Sequence, residues 1–173
     1  MSKRVTVSQF YKDVPPACLI ERPSLRTAFL KEDHFFAIDH RCIEQHSIGQ
    51  KAMLTQMPLP QEKEGTQVGA VVQLNQVICF YFVGSSHLCT FSKGKLQEIQ
   101  AHLAPITFLH QHRNQLCSAS QDLTIRLWLE RGDTLVPYTP HHALFGHSSP
   151  VSCLASVDAL LLSGSLDRTV IVW

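Results

Sequence analysis

Residues 102–128, HLAPITFLHQHRNQLCSASQDLTIRLW, are repeated without a gap by residues 147–173, HSSPVSCLASVDALLLSGSLDRTVIVW, at an offset of forty-five. The repeat preserves chemically distinctive positions. The identical pairs include His102 with His147, Pro105 with Pro150, Leu109 with Leu154, Ser118 with Ser163, Ser120 with Ser165, Asp122 with Asp167, Thr124 with Thr169, and Trp128 with Trp173. Self-similarity at this period indicates structural units that stack on copies of themselves.

Each repeat contains three short β-type runs separated by turn residues. They cover residues 106–109, 116–120 and 124–128, and then 151–154, 160–165 and 169–173. A fourth run fits around residues 134–138, where Pro137 favours an outer edge because proline has no N–H to donate to a central ladder. Four antiparallel strands in about 45 residues are typical of a propeller blade.

The aligned residues resemble the WD40 repeat. Gly146-His147, Ser163-Gly164-Ser165, Asp167 and Trp173 stand at that family's spacing, and the earlier copy has Ala101-His102 in place of Gly-His. The resemblance covers residues 96–173 and implies an all-β fold of WD40-type β-propeller blades. It also implies two buried, hydrogen-bonded structural tetrads: His102, Ser118, Asp122 and Trp128, and His147, Ser163, Asp167 and Trp173.

Weaker patterns upstream predict two more blades. Residues 66–100 contain four β-type runs but lack the aspartate and tryptophan of the tetrad, and residues 20–50 suggest a degenerate blade. Residues 51–66 are polar and carry prolines, which predicts a surface loop. With further blades over 101–140 and 143–173, the chain 1–173 is predicted to be a single partial β-propeller domain of about four four-stranded antiparallel sheets. Closed propellers have about four to eight blades, so we expect an incomplete or open propeller.

The last repeat stops at Trp173 without an outer fourth strand. An unpaired sheet edge of this kind predicts self-association. WD40 propellers commonly use an amino-terminal segment as that outer strand, and residues 4–8, RVTVS, have a suitable alternation for antiparallel pairing with residues 169–173. The sequence leaves open whether this edge stays unpaired or is covered by residues 4–8.

Composition narrows the class of protein. Fifteen Lys and Arg against fourteen Asp and Glu give a formal net charge of +1, which offers no basic field for nucleic acid. The amino terminus has no apolar signal-peptide core, and the longest apolar run, residues 77–83, is too short to span a bilayer. We therefore expect an intracellular protein, cytoplasmic or nuclear, with no membrane segment and with buried free thiols.

A serine, a histidine and an aspartate in each repeat also permit a hydrolase hypothesis. Their duplication in adjacent blades, the expectation that each serine points into the sheet packing, and the lack of a G-x-S-x-G elbow favour a structural role. Zinc ligands are conceivable at His40, Cys42 and His46, or at His110 and His112, but the spacing matches no paired zinc motif. No glycine loop fits a phosphate. The sequence therefore predicts no catalytic residue, metal or cofactor.

By resemblance to WD40 proteins, the loops before each first strand and the turns beside the tetrad aspartates line the face where partners bind. The candidate partner-binding residues are Leu103, Gln121, Ser148, Ser149 and Leu166. The predicted function is a non-enzymatic protein–protein interaction scaffold that supports assembly of a multiprotein complex. Residues 104–107 and the Ser, Asp and Trp spacing that follows are similar to WD-repeat subunits of the large-ribosomal-subunit maturation complex, which gives an alternative function. The sequence identifies no partner.

Overall fold

The computed structural model describes residues 27–31, 34–39, 41–47, 52–60, 66–138 and 143–173. These described residues form sixteen β-strands and no helix. The chain divides into two compact units, Met1–Glu64 and Gly65–Trp173. Residues 4–8, which the sequence offers as one of two alternatives for the outer strand of the last repeat, lie outside the described residues.

The first unit contains one four-stranded antiparallel sheet, sheet A, in the order β1-β2-β3-β4. Its strands are β1 (Thr27–Lys31), β2 (His34–Ile38), β3 (Cys42–Ser47) and β4 (Ala52–Pro58). Ile43 on the third strand lies opposite both Ile38 and Met57, and all three side chains are buried. Burial of these three side chains stabilises the pairing of β3 with both β2 and β4.

The sequence predicts a surface loop over residues 51–66, but the structure differs there because Ala52–Pro58 forms strand β4. Ala52–Pro58 pairs with β3 along its whole length, with a register shift between Gln45 and His46. The strand forms because Met57 is fully buried opposite Ile43, which outweighs the proline that follows. Pro58 stands at the end of the strand, on the outer edge of the sheet, where a missing N–H breaks no central ladder.

The second unit contains three antiparallel sheets. Sheet B consists of β5 (Val68–Gln73), β6 (Ile78–Phe82), β7 (His87–Ser92) and β8 (Lys95–Gln100) in that order. Sheet C consists of β9 (Ile106–His112), β10 (Gln115–Ser120), β11 (Ile125–Arg131), β12 (Thr134–Pro137) and the short β13 (Ala143–Leu144), and both β12 and β13 pair with β11. Sheet D consists of β14 (Val151–Val157), β15 (Leu160–Ser165) and β16 (Val170–Val172).

The prediction of an all-β chain with about four antiparallel sheets is confirmed, and none of the described sheets closes on itself. Pro137 lies on an edge strand, as expected for a residue that cannot donate to a central ladder. Strand β6, which lies within the apolar run 77–83, is buried at all five positions. Sheet D has three strands among the described residues.

The hairpin between β9 and β10 is tighter than the sequence indicates. The predicted β-type runs end at residue 109 and resume at residue 116, but β9 runs on to His112, which pairs directly with Gln115. Only Arg113 and Asn114 form the turn, and Arg113 has a φ of 55°. In a two-residue hairpin, positive φ in the turn gives a backbone twist that matches the twist of the two strands. The polar residues of β9 before the turn therefore stay paired with β10.

Apolar side chains join neighbouring sheets of the second unit. Between sheets B and C, the core includes Tyr81, Leu88, Ile106, Leu116 and Trp128. Between sheets C and D, it comprises Cys117, Ala119 and Ile125 from sheet C, and Val151, Leu154 and Leu161 from sheet D. Because strands of consecutive sheets run in the same order, the start of each first strand and the turn before each third strand lie at one end of the sheets, here called the rim.

Candidate functional site

A chain of hydrogen bonds crosses sheet C from the tryptophan to the aspartate. Trp128 Nε1 donates to Ser118 Oγ at 2.9 Å, and Ser118 Oγ lies 2.7 Å from His102 Nε2. His102 Nδ1 lies 2.9 Å from Asp122 Oδ2. The structure therefore brings together the four residues of the first tetrad.

The chemistry of the donors fixes the direction of this chain. Indole Nε1–H can only donate, so the single proton of Ser118 is free to go to His102 Nε2, which accepts it. The remaining imidazole proton is then on Nδ1 and is donated to the Asp122 carboxylate. Burial lowers the pKa of His102 against the opposing effect of Asp122. This favours the neutral imidazole that the hydrogen-bond chain requires.

Asp122 connects the tetrad to the rim. Its carboxylate accepts from the Leu103 N–H at 3.0 Å, the Thr124 N–H at 3.1 Å and the Thr124 hydroxyl at 2.6 Å, in addition to His102. Burial alone would raise the pKa of Asp122, but these hydrogen bonds, led by that from Thr124, lower it below its ordinary value. The turn at Asp122 and the loop at Leu103 are thus held by one anion.

Sheet D carries the same arrangement forty-five residues later. Trp173 Nε1 donates to Ser163 Oγ at 2.9 Å, Ser163 Oγ lies 2.8 Å from His147 Nε2, and His147 Nδ1 lies 2.8 Å from Asp167 Oδ2. The Ser148 N–H donates to Asp167 Oδ2 at 3.0 Å. A hydrogen bond from Thr169 is the largest cause of the lowered pKa of Asp167.

Two further residues in each repeat belong to the network, and the sequence reasoning assigned them no role. Thr124 and Thr169 donate to the aspartates at 2.6 Å, and Ser120 and Ser165 accept from the aspartate N–H at 3.0 and 3.1 Å. Their identity at the repeat offset of forty-five residues was the available signal. They fold the turns so that each aspartate faces its histidine.

The order Ser, His, Asp is also that of a hydrolase triad, but the surroundings of the serine differ. Ser118 is 0% exposed, and its oxygen already accepts the Trp128 N–H while its proton is directed to His102. A nucleophilic oxygen needs a substrate carbonyl beside it. Burial under the indole leaves no such approach, and Ser163 is similarly buried at 1% exposed.

The five candidate partner-binding residues all lie at the rim of sheets C and D. Leu103 and Leu166 expose 86% and 67% of their surface, Gln121 and Ser148 are exposed, and Ser149 is half-buried. Their backbone is fixed nonetheless. The N–H groups of Gln121 and Leu166 both donate at 3.0 Å, to the carbonyls of Pro105 and Pro150 respectively.

The histidines considered as metal ligands have other roles. His110 Nε2 lies 2.9 Å from Ser156 Oγ and joins sheet C to sheet D. His46 Nε2 contacts Glu44 Oε2 at 3.1 Å within sheet A, and His40 lies outside the described residues. Within the described ranges, no group of three His, Cys, Asp or Glu side chains could hold a metal ion. That part of the chain also has no helix of the length and apolarity needed to cross a membrane.

A family model supports the repeats. The model of the WD domain, G-beta repeat, matches residues 93–128 and 138–173. These segments contain all eight residues of the two tetrads. The match therefore covers sheet D, β8 of sheet B, and sheet C except for the end of β11 and all of β12.

Several curated proteins share sequence with part of the chain. The Ribosome biogenesis protein WDR12 homolog of Nematostella vectensis is 33% identical over 82 residues, which are 47% of this chain and 19% of that protein. Mitochondrial division protein 1 of Schizosaccharomyces pombe is 40% identical over 45% of this chain and 12% of its own length. MST50-interacting protein 11 of Pyricularia oryzae is 37% identical over 47% of this chain and 26% of its own length. The chain thus matches only a small part of each relative.

Solved structures share the fold. The computationally designed Ika4 protein superposes with a TM-score of 0.61 at 22% identity, covering 90% of this chain and 94% of Ika4. The WD40 beta propeller domain of Doa1 superposes with a TM-score of 0.60 at 13% identity, covering 86% of this chain and 49% of that one. At these identities, the likeness concerns the arrangement of the strands alone.

Proposed function

We propose that this chain, whose residues 93–128 and 138–173 match the WD40 family model, is a non-enzymatic scaffold for protein–protein interactions that supports assembly of a multiprotein complex. WD40 propellers generally bind protein partners and are typically non-enzymatic. The binding surface in this proposal is the rim of sheets C and D, with Leu103, Gln121, Ser148, Ser149 and Leu166 as its contact residues.

One observation carries the proposal: the rim combines a fixed backbone with exposed side chains. Leu103 is 86% exposed while its N–H is bound to Asp122, and Leu166 is 67% exposed while its N–H is bound to Pro150. Large apolar side chains held on an ordered backbone favour binding because little conformational entropy is lost on association. The tetrads therefore act on binding indirectly, by shaping the rim.

Affinity purification of the protein from its own cell extract tests this proposal when wild type is compared with Leu166→Ser. We expect the variant to lose specific partners while it keeps the wild-type unfolding midpoint. Leu54→Ser is the matched control, because Leu54 is another exposed leucine, at 44%, but lies in sheet A. Equal recovery of every specific partner by wild type and Leu166→Ser would contradict the rim as the binding surface.

A second candidate function is that of a WD-repeat subunit of a ribosome-biogenesis machine. The similarity to the WDR12 homolog supports it, over 82 residues. However, the segments shared with Mitochondrial division protein 1 and MST50-interacting protein 11 are of the same size, so this similarity does not by itself select ribosome assembly. The intracellular location, cytoplasmic or nuclear, belongs to the same proposal.

Sucrose-gradient sedimentation of cell extract separates the two candidates. A ribosome-biogenesis subunit should co-sediment with precursors of the large ribosomal subunit and shift to light fractions after ribonuclease treatment. A scaffold of another complex should keep its position after that treatment.

The remote hydrolase alternative has its own test. A fluorophosphonate probe should leave Ser118 and Ser163 unlabelled, because both hydroxyls are buried and engaged in hydrogen bonds. Labelling that disappears in Ser118→Ala or Ser163→Ala would favour the hydrolase.

A further inference from the structure

The loop that leads into sheet D carries two hydroxyl groups that its counterpart before sheet C lacks. Residues 147–150 are HSSP where residues 102–105 are HLAP, so Ser148 and Ser149 take the places of Leu103 and Ala104. Ala104 and Ser149 make the same backbone contact, because each carbonyl accepts a hydrogen bond from a serine on the second strand, at 2.9 and 2.8 Å. The fold of the loop therefore does not need the Ser149 hydroxyl.

Ser149 has the local structure of a serine that a kinase can modify. Its hydroxyl makes no hydrogen bond to a described residue, and it lies at a bend outside the strands. Pro150 follows it, and a residue before proline is held in extended backbone. Protein kinases bind their substrates as extended segments, and one class selects a serine followed by proline. Ser149 is half-buried, as is Ala104, whose loop bonds to both sheet B and sheet C, so this exposure belongs to the loop itself.

A second departure from the repeat supplies a group that binds phosphate. Arg168 takes the place of Leu123, at the turn before the third strand. The φ angles of the two residues are 69° and 73°, so their side chains leave equivalent turns in the same direction. Leu123 stays 37% exposed although sheet D packs on sheet C, and Arg168 is exposed too. A side chain at this position therefore reaches the surface of the rim.

Hydrogen bonds place Ser149 and Arg168 on adjoining loops. The Ser165 hydroxyl donates to the Ser149 carbonyl at 2.8 Å, and the Arg168 N–H donates to the Ser165 carbonyl at 3.1 Å. Both residues are thus bonded to the same serine. A guanidinium binds phosphate in a two-pronged, charge-assisted geometry that a neutral donor cannot match. The two features that are peculiar to the second repeat, a hydroxyl and a guanidinium, are therefore neighbours.

We propose that Ser149 is the target of a proline-directed protein kinase and that Arg168 binds the resulting phosphate. The kinase transfers the γ-phosphoryl group of ATP. A bond forms between Ser149 Oγ and the γ phosphorus, the bond from that phosphorus to the β–γ bridging oxygen breaks, and ADP leaves. The hydroxyl proton passes to the catalytic base of the kinase.

The phosphate changes the charge of the rim, and this step rests on the rim being the protein-binding surface proposed above. A phosphoserine carries a charge of about −1.5 to −2 at pH 7. The Asp167 carboxylate beside it is already engaged by His147, by the Ser148 N–H and by Thr169. A partner that covers Leu166 would have to desolvate the phosphate as well, so phosphorylation should weaken binding.

Phosphorylation of the 173-residue chain in vitro tests the site. Thr139→Ala is the starting protein, because Thr139 is the other hydroxyl residue that precedes a proline, and it lies outside the described residues. With a purified kinase of the mitogen-activated class and ATP, peptide mass spectrometry should find phosphate on Ser149, and the added change Ser149→Ala should abolish it. Absence of phosphate from Ser149 would overturn the proposal.

Phosphorus NMR of the phosphorylated chain tests the role of Arg168. The second ionisation of phosphoserine has a pKa of about 6, and a neighbouring cation lowers this pKa. Arg168→Gln should raise it by about 0.2–0.7, the size expected for an exposed ion pair. Arg131→Gln is the matched control and should leave it unchanged, because Arg131 is also exposed but lies at the end of β11 that is opposite the rim. Asp167 is present in all these proteins, so its opposing effect cancels. An equal phosphate pKa with and without Arg168 would overturn its assignment.

Partner recovery from cell extract separates this proposal from the proposed function. The phosphorylated chain should recover about tenfold less of its specific partners, and kinase treatment should not alter recovery by Ser149→Ala. Undiminished recovery by the phosphorylated chain, when Leu166→Ser does lose its partners, would overturn the effect of the phosphate on binding. Undiminished recovery by both would contradict the rim itself, whereas the mass spectrometry and the NMR titration decide the phosphorylation site without any partner.

Discussion

Replacing Ser118 by alanine tests the structural role of the tetrad most sharply. The Ser118 hydroxyl is 0% exposed and serves two buried groups, accepting from Trp128 Nε1 at 2.9 Å and donating to His102 Nε2 at 2.7 Å. The change removes both bonds and adds no bulk. Each of the two buried polar groups left without a partner costs about 1–3 kcal/mol, so we expect the free energy of unfolding to fall by about 2–6 kcal/mol.

Ser163→Ala is the natural comparison, because the second network has almost the same distances of 2.9 and 2.8 Å. Trp173 is half-buried whereas Trp128 is 2% exposed, so water can solvate the indole of the second network more readily. We therefore expect a smaller loss of stability for Ser163→Ala than for Ser118→Ala. The difference in burial, rather than in hydrogen-bond geometry, sets the order of the two variants.

Urea unfolding followed by circular dichroism measures both changes. The double variant Ser118→Ala/Trp128→Phe supplies a coupling energy, since removing the indole N–H also removes one of the unsatisfied groups. A loss below about 0.5 kcal/mol for Ser118→Ala would refute the buried-network argument. So would an unchanged stability accompanied by the loss of a hydrolytic activity.

Three other predictions concern pH, thiols and packing. Burial lowers the pKa of both His102 and His110 from the ordinary value of 6.5, so their contribution to stability is fully present above about pH 6.5 and is lost as pH falls toward the folded pKa values. The urea midpoint of unfolding should therefore drop between pH 7 and pH 5, and a rise over that range would contradict this sign. Among the five cysteines in the described ranges, Cys153 is the exposed one and should react first with iodoacetamide, whereas burial raises the pKa of the Cys117 thiol to about 12. Peptide mass spectrometry that finds Cys117 labelled first in the native protein would count against its place in the core. Gly69→Ala should destabilise the fold by about 1–3 kcal/mol, because a Cβ there overlaps the Tyr81 ring, whose hydroxyl donates to the Thr107 carbonyl at 2.8 Å. An unchanged melting temperature would show that the ring moves freely.

The repeat made sheets C and D predictable because its information is local. Turn residues, a serine, an aspartate and a tryptophan recur at one offset, so strand positions could be written from the sequence, and the resemblance to the WD40 repeat implied the four tetrad partners. Contacts that depend on neighbouring strands were harder to foresee. Strand β4 has no strict alternation and ends on Pro58, and it forms because Met57 packs opposite Ile43 on β3.

Backbone conformation at the turns also lay beyond the sequence pattern. Leu123 and Arg168 adopt positive φ values of 73° and 69° at equivalent places in the two repeats, although neither is glycine. The hydrogen bonds around Asp122 and Asp167 fix these turns, so the environment overrides the intrinsic preference of the residue. The same reason explains why Thr124 and Thr169 were missed: their role depends on how the turn places the aspartate oxygen.

A photo-crosslinking amino acid placed at position 166 gives the most direct test of the rim as a protein-binding surface. Incorporated in place of Leu166 in cells, it should crosslink to a distinct protein partner, whereas the same group in place of Leu54 in sheet A should not. A partner crosslinked from position 54 and none from position 166 would contradict the central claim that the chain is a scaffold that binds proteins through the rim of sheets C and D.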